Sequence, residues 1–224
     1  MGAVRTALLL GGAWRTARAF QRPALRGVAR LTSVSAEAQK RVLVPIADGS
    51  EEIETTCISD TLVRAGAFVV VASANSDATS LIVTMSRGLK ILADAHVSTL
   101  VEEEWDAVVC PGGMPGAANL RDSVPLDAIL RKHCVANKLT AAVCAAPAVV
   151  LQYKGLLAGR KATCYPAPQF EGALDAVSPG DVVVDAHFVT SRGPGTSLKF
   201  AIQLVSELYG PEKAQEIAKQ MLVE

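Results

Sequence analysis

Four short apolar runs punctuate the chain: Arg41–Ile46, Phe68–Ala72, Asp106–Cys110 and Thr140–Val143. Each is too short for a helix and too continuously apolar for a strand with one wet face. Between the first two, Ile53, Cys57, Ile58, Leu62 and Val63 recur at helical spacing, and Gly66 supplies a stop. Leu126, Ile129 and Leu130 mark a second helix. Leu198, Ala201, Leu204, Val205 and Leu208 mark another, ended by Gly210-Pro211. Residues 81–93 read as strand–turn–strand around Ser86-Arg87-Gly88. This alternation predicts an α/β domain, a parallel sheet sandwiched by helices. Ligands of such sheets bind at the carboxyl ends of the strands. Three loops, 47–54, 111–119 and 144–147, should share that edge. Asp48 or Ser50 is expected to cap the first helix.

The chain has 224 residues with equal totals of 22 basic and 22 acidic side chains. The balance conceals an asymmetry. Arg5, Arg15, Arg18, Arg22, Arg26 and Arg30 precede the first acid, Glu37; without them 16 basic residues face 22 acidic ones. An Arg-, Ala- and hydroxyl-rich segment lacking acids has the composition of an organelle transit peptide. Residues 1–39 are therefore expected to be an unstructured leader, directing the protein to mitochondria, or to chloroplasts in a photosynthetic source. Residues 40–224 are expected to form one domain. No basic excess advertises nucleic-acid binding. The longest nearly apolar run, Leu139 to Leu151, has 13 residues, short of the roughly 20 that a bilayer requires, so no membrane span is expected.

Five cysteines, at 57, 110, 134, 144 and 164, include no Cys-x-x-Cys pair and no neighbouring histidine cluster. Neither a disulfide scaffold nor a metal site is expected. Cys57, Cys110 and Cys134 read as small buried hydrophobes, and Cys164 is undecided. Cys144 is different. It falls where an apolar strand meets Ala145-Ala146-Pro147, a strand-to-helix elbow. Free N–H donors at a helix start would favour a thiolate and lower its pKa. The same donors could hold an oxyanion.

Glu51-Glu52-Ile53-Glu54 crowds three acids into the first turn of the first helix. Glu52 reads as a solvated, dipole-matched helix start. Glu51 and Glu54 share a face directed at the Cys144 crevice, where a protonated Glu could bond a thiolate or carry a proton. Pro111-Gly112-Gly113 follows a strand; it is either a plain loop or a close backbone approach with Gly113 N–H as an oxyanion donor. A phosphate loop is excluded by the absence of Gly-x-x-x-x-Gly-Lys. Ser191-Arg192-Gly193-Pro194-Gly195-Thr196 is either a structural turn or the place where Arg192 anchors a nearby carboxylate.

Taken together, VLVPIADGSEEIET, MSRGLKILAD, VVCPGGMPGAANL, AAVCAAPAVV, KATCYP and VTSRGPGT resemble the ThiJ/PfpI superfamily. Within it they are most similar to the parkinsonism-associated deglycase branch, commonly called DJ-one. The resemblance runs in order from about Lys40 to the last helix. It implies a flavodoxin-like, class I glutamine amidotransferase-like fold and a homodimer. It implies a reactive Cys144 hydrogen-bonded to a protonated Glu54. Gly112, Gly113 and Ala145 would bind the oxyanion or substrate, supported by Glu51, Arg87, Tyr165 and Arg192.

The activity implied is a cofactor-independent glyoxalase acting on small 2-oxoaldehydes such as methylglyoxal, with protein deglycation beside it. The alternative implied by the same family is a non-enzymatic oxidative-stress sensor and redox-regulated chaperone. Two departures matter. Tyr165 stands where some members carry His before Pro, and a phenol is a poorer proton shuttle at neutral pH. Ala145 stands where the protease branch has His, which argues against peptidase activity.

Overall fold

The computed structural model describes residues 39–223. The expected leader lies outside them, save residue 39. The described chain begins with β1 (Arg41–Ile46), α1 (Glu52–Arg64) and β2 (Phe68–Ser73). A hairpin of β3 (Ile82–Thr84) and β4 (Lys90–Leu92) precedes the two-residue β5 (Ala95–His96). Next come β6 (Ala107–Cys110), α2 (Gly116–Asp122), α3 (Val124–Val135) and β7 (Leu139–Val143). The rest is β8 (Lys161–Ala162), α4 (Pro168–Glu171), β9 (Ala176–Val177), β10 (Val182–Asp185), β11 (Phe188–Ser191), α5 (Ser197–Tyr209) and α6 (Pro211–Met221).

Seven strands form the main sheet in the order β10-β11-β7-β6-β1-β2-β5. The four apolar runs are the central β7-β6-β1-β2, all parallel. Both faces are covered: α1 packs with α5 and α5 with α6, while α2 packs with α3, and α3 lies against β7. This double cover explains why all four residues of β6 are buried and why the runs do not alternate. Leu43, Ile46, Ile58, Leu62, Leu120, Leu130, Phe200 and Leu204 fill the two interlayers, each fully buried.

The sheet is parallel as expected except at one edge. β10 and β11 pair antiparallel, through a tight turn in which Ala186 adopts φ 54°. The hairpin at 81–93 forms as expected but stands apart as its own two-stranded sheet. Gly210 and Pro211 end α5 and also begin α6, Pro211 occupying a first-turn position where its missing N–H costs nothing.

The strand order reverses direction at β1, which has β6 on one side and β2 on the other. The loops after β1 and β6 leave the carboxyl edge of the sheet at this point, where sheets of this kind bind their ligands. Among the described residues no helix is long and apolar enough to cross a membrane.

Candidate active site

The three loops expected on one edge do meet. Glu51 N donates to Gly112 O at 3.0 Å, and Gly112 N donates to Glu54 Oε2 at 2.7 Å. A Cβ on Gly112 would lie 2.6 Å from Cys144 Cβ and 2.9 Å from Ala145 N, so only glycine lets the β6 loop come this close to the elbow. Gly113 adopts φ 82°, and a Cβ there would collide with the Gly49 carbonyl and Glu51 N.

The cap of α1 corrects the sequence expectation. Glu51, not Asp48 or Ser50, is the N-cap, its carboxylate accepting Glu54 N at 2.8 Å. Asp48 and Ser50 are spent on bracing the loop. Asp48 Oδ1 accepts Thr84 N at 2.8 Å, its carbonyl accepts Asn119 Nδ2 at 2.8 Å, and Ser50 Oγ accepts Ala47 N at 3.0 Å. Glu52 is more than a solvated helix start. Its carboxylate accepts Ser86 Oγ at 2.7 Å and Arg87 N at 2.8 Å, fastening the β3–β4 turn to α1. These bonds outweigh a burial cost and hold the carboxyl below its usual range.

Glu54 is fully buried. Burial pushes its carboxyl up to about 7, with the Gly112 N–H and Cys144 drawing it partly back. Oε1 is buried and accepts no regular hydrogen bond. The group this carboxyl faces is the Cys144 thiol.

Cys144 has φ 64°, the left-handed region that costs a non-glycine residue about 1–2 kcal/mol. Its backbone is held on both sides: Cys144 N donates to Ser191 O at 3.0 Å, and its carbonyl accepts Tyr165 N at 2.7 Å. The Gly113 and Ala145 N–H groups lie near enough to the sulfur to favour its charged form. The residue is buried, at 9% exposure.

The thiol itself overturns the expectation of a lowered pKa. Burial pushes it up first, the Glu54 charge adds to that, and the result is about 12; the two N–H groups pull the other way by less. The expected helix start is also different in kind. Pro147–Gln152 is a six-residue π-helical turn, too short to supply much of a dipole. The geometry therefore sets a buried carboxyl that titrates near neutrality against a buried thiol that keeps its proton.

The supporting residues separate. Glu51 is in the site as the cap beside Glu54. Tyr165 joins the elbow through its backbone N–H, while its ring is 45% exposed and stands edge-on to Phe170. Arg192 does anchor a carboxylate, that of Asp181 at 3.5 Å. Arg87 contributes its backbone N–H to Glu52, and its exposed guanidinium turns to the Ser86 carbonyl. Of the other cysteines, Cys110 and Cys164 are buried, while Cys57 and Cys134 are half-buried. Burial pushes the Cys110 thiol up to about 12 and the Cys164 thiol to about 11. Sequence reasoning missed Ser191 as the acceptor of the Cys144 N–H. Its place at the end of a strand directly before Arg192-Gly193-Pro194 was the available signal. Among the described residues no group of three or more His, Cys, Asp or Glu could hold a metal ion.

Residues 40–207 match the DJ-1/PfpI family. The chain is 43% identical over 191 residues to Protein DJ-1 homolog B of Arabidopsis thaliana, covering 85% of this chain and 43% of that protein. It spans about half the length of that relative and of the Arabidopsis homolog A, of which it covers 48%. It is 30% identical over 190 residues to the Glutathione-independent glyoxalase DJR-1.2 of Caenorhabditis elegans, covering 84% of this chain and 98% of that one. Among solved structures, Toxoplasma gondii DJ-1, oxidized, superimposes with a TM-score of 0.77 at 49% identity, over 82% of this chain and 98% of that one. The fold is thus the flavodoxin-like, class I glutamine amidotransferase-like one.

Proposed function

The chain belongs to the DJ-1/PfpI family, and from that premise we propose that it is a glyoxalase needing neither glutathione nor another cofactor. The observation that carries the reading is the pair at the elbow: a buried Glu54 brought to about 7, facing Cys144. A base poised near the working pH is what proton transfer at neutrality requires. The Caenorhabditis relative, named a glutathione-independent glyoxalase, supports the same class.

The reaction follows from the groups at hand. Cys144 Sγ adds to the aldehyde carbon of methylglyoxal while Glu54 receives the thiol proton. The new oxyanion is met by the N–H groups of Gly113 and Ala145 and takes that proton back from Glu54, giving a hemithioacetal and restoring the carboxylate. Glu54 next removes the proton from that carbon and returns one to the adjacent carbon. The first carbon is oxidised and the second reduced, with no outside electron acceptor. Water then cleaves the resulting thioester, releasing lactate and the free thiol. Protein deglycation would begin with the same attack on a carbonyl adduct.

The homodimer belongs to the proposal. Its support is the exposed Ile53 on α1 and the exposed Ile82, Leu89 and Leu92 on the hairpin that Glu52 fastens to α1. Delivery to an organelle by residues 1–39 belongs to it as well. Lactate formed from methylglyoxal without added thiol, nicotinamide or metal tests the central claim. Should Cys144 oxidise selectively while no lactate forms, the sensor reading replaces it.

A further inference from the structure

The strained elbow is held by a chain of hydroxyl groups that begins well outside the reacting atoms. Ser191 is fully buried. Its carbonyl accepts Cys144 N at 3.0 Å. Its Oγ bonds the Asp181 carbonyl at 2.7 Å and Thr196 Oγ1 at 2.7 Å. Thr196 Oγ1 in turn accepts Gly193 N at 3.1 Å and lies 3.0 Å from Gly193 O. One side chain therefore closes the 191–196 turn on itself and locks the peptide that receives the nucleophile's N–H. On the other side, Thr190 Oγ1 accepts Thr163 N at 3.0 Å, steadying the segment whose Tyr165 N–H holds the Cys144 carbonyl.

We propose that Thr196, acting through Ser191, is a positioning residue that keeps Cys144 in its left-handed conformation with the sulfur against Glu54. A non-glycine residue leaves that conformation when its backbone bonds slacken. The sulfur then rotates away from the carboxyl and from the N–H groups of Gly113 and Ala145. The Ser191-to-Thr196 turn thus serves the nucleophile through hydrogen bonding, while Arg192 within it is engaged with Asp181. The inference rests on the proposed role of Cys144, and its test has an arm that needs no turnover.

The first arm is the pH profile of Cys144 labelling by iodoacetamide, followed by mass spectrometry on the intact protein. Glu54 is faced by Glu51 and Cys57 from α1 and by Cys144 from the elbow. With the sulfur against it, the profile should carry an inflection near pH 7 that Glu54→Gln removes. Thr196→Val should lose the inflection, Thr196→Ser should keep it, and Ser191→Ala should behave like Thr196→Val. The second arm is turnover of methylglyoxal, where Thr196→Val should lower kcat about tenfold with KM within about twofold. If the wild type makes no lactate, the glyoxalase reading fails and the labelling arm still decides this one. A Thr196→Val protein that keeps the wild-type profile overturns the proposal, as does a Thr196→Ser protein that loses it. If Thr196→Val does not fold, Ser191→Ala against Thr196→Ser makes the same comparison.

Discussion

Gly112 N–H donates to Glu54 Oε2 at 2.7 Å across 58 residues of chain. The bond joins the loop after β6 to the first turn of α1 and leaves Oε1 of Glu54 buried without a regular partner. Oε1 is thus the oxygen left free to take a proton. Two predictions follow directly from the closeness of this packing and the burial of this acid.

Gly112→Ala places a methyl group 2.6 Å from Cys144 Cβ and 2.9 Å from both Ala145 N and Val143 O. Backbone must move, at an expected cost of about 1–3 kcal/mol by denaturant unfolding. Gly195→Ala is the control, since nothing lies within 4 Å of its added carbon; its change should stay within about 0.5 kcal/mol. Equal stability of the two variants would count against the close packing.

The acid also sets a pH dependence of stability. Glu54 titrates near 4.5 in an unfolded chain and at about 7 in the folded one. The folded state therefore holds a proton that the unfolded state has released. The stabilisation is fully present below pH 4.5 and is lost as pH rises through 7, a change of about 3 kcal/mol. His133, which burial pushes down to about 4, works in the opposite sense, adding stability as pH rises from 4 to 6.5. Urea unfolding of wild type and Glu54→Gln across pH 4–8 separates them: the variant should gain relative to wild type as pH rises. A constant difference would remove the raised carboxyl.

Much of this arrangement was legible in the residues, and the misses have physical reasons. β1, β6 and β7 were visible because strands buried on both faces have no polar alternation to blur them, and β2 because its Phe68–Ala72 run is apolar throughout. Cys144 stood out because a strand running into Ala145-Ala146-Pro147 must turn sharply. The helix cap was misread because Asp48, a good cap by type, is claimed by Thr84 N, 36 residues away. The antiparallel β10–β11 edge was invisible because its turn carries Ala186 at positive φ, where glycine or asparagine is the usual sign. The direction of the thiol shift was misread for a similar reason. Local pattern reveals the N–H groups at an elbow, but not an acid brought in from ninety residues earlier.

That acid yields a third expectation. While Glu54 is charged, the Cys144 thiol is held near 12. Glu54→Gln removes the charge and keeps a neutral donor, so thiolate absorbance near 240 nm should appear at lower pH in the variant than in the wild type. An unchanged titration would show that the carboxyl and sulfur do not interact.

The apolar surface on α1 and the β3–β4 hairpin gives a fourth. The protein should sediment at twice its monomer mass at micromolar concentration, and Ile53→Glu, on the exposed side of α1 at 52% exposure, should shift it toward monomer. A wild-type monomer would end the dimer proposal.

The last expectation concerns the chemistry as a whole. Purified protein should convert methylglyoxal to lactate unaided, and Cys144→Ala should lose essentially all of it, because no other described nucleophile stands at the elbow. Glu54→Gln should fall by about 10²–10⁴-fold, the usual contribution of a general acid–base group. It would lose turnover even while its thiol ionises more readily, which separates the two roles of the acid: holding the sulfur's proton and moving a proton between carbons. Tyr165→Phe should retain most activity, because the residue's contact with the elbow is its backbone N–H on the Cys144 carbonyl, not its phenol. Tyr165→His is the companion variant, and a rise in kcat there would identify proton delivery as the slow step. Full activity in Cys144→Ala would overturn the sensor and the enzyme together, since both put the chemistry on that sulfur.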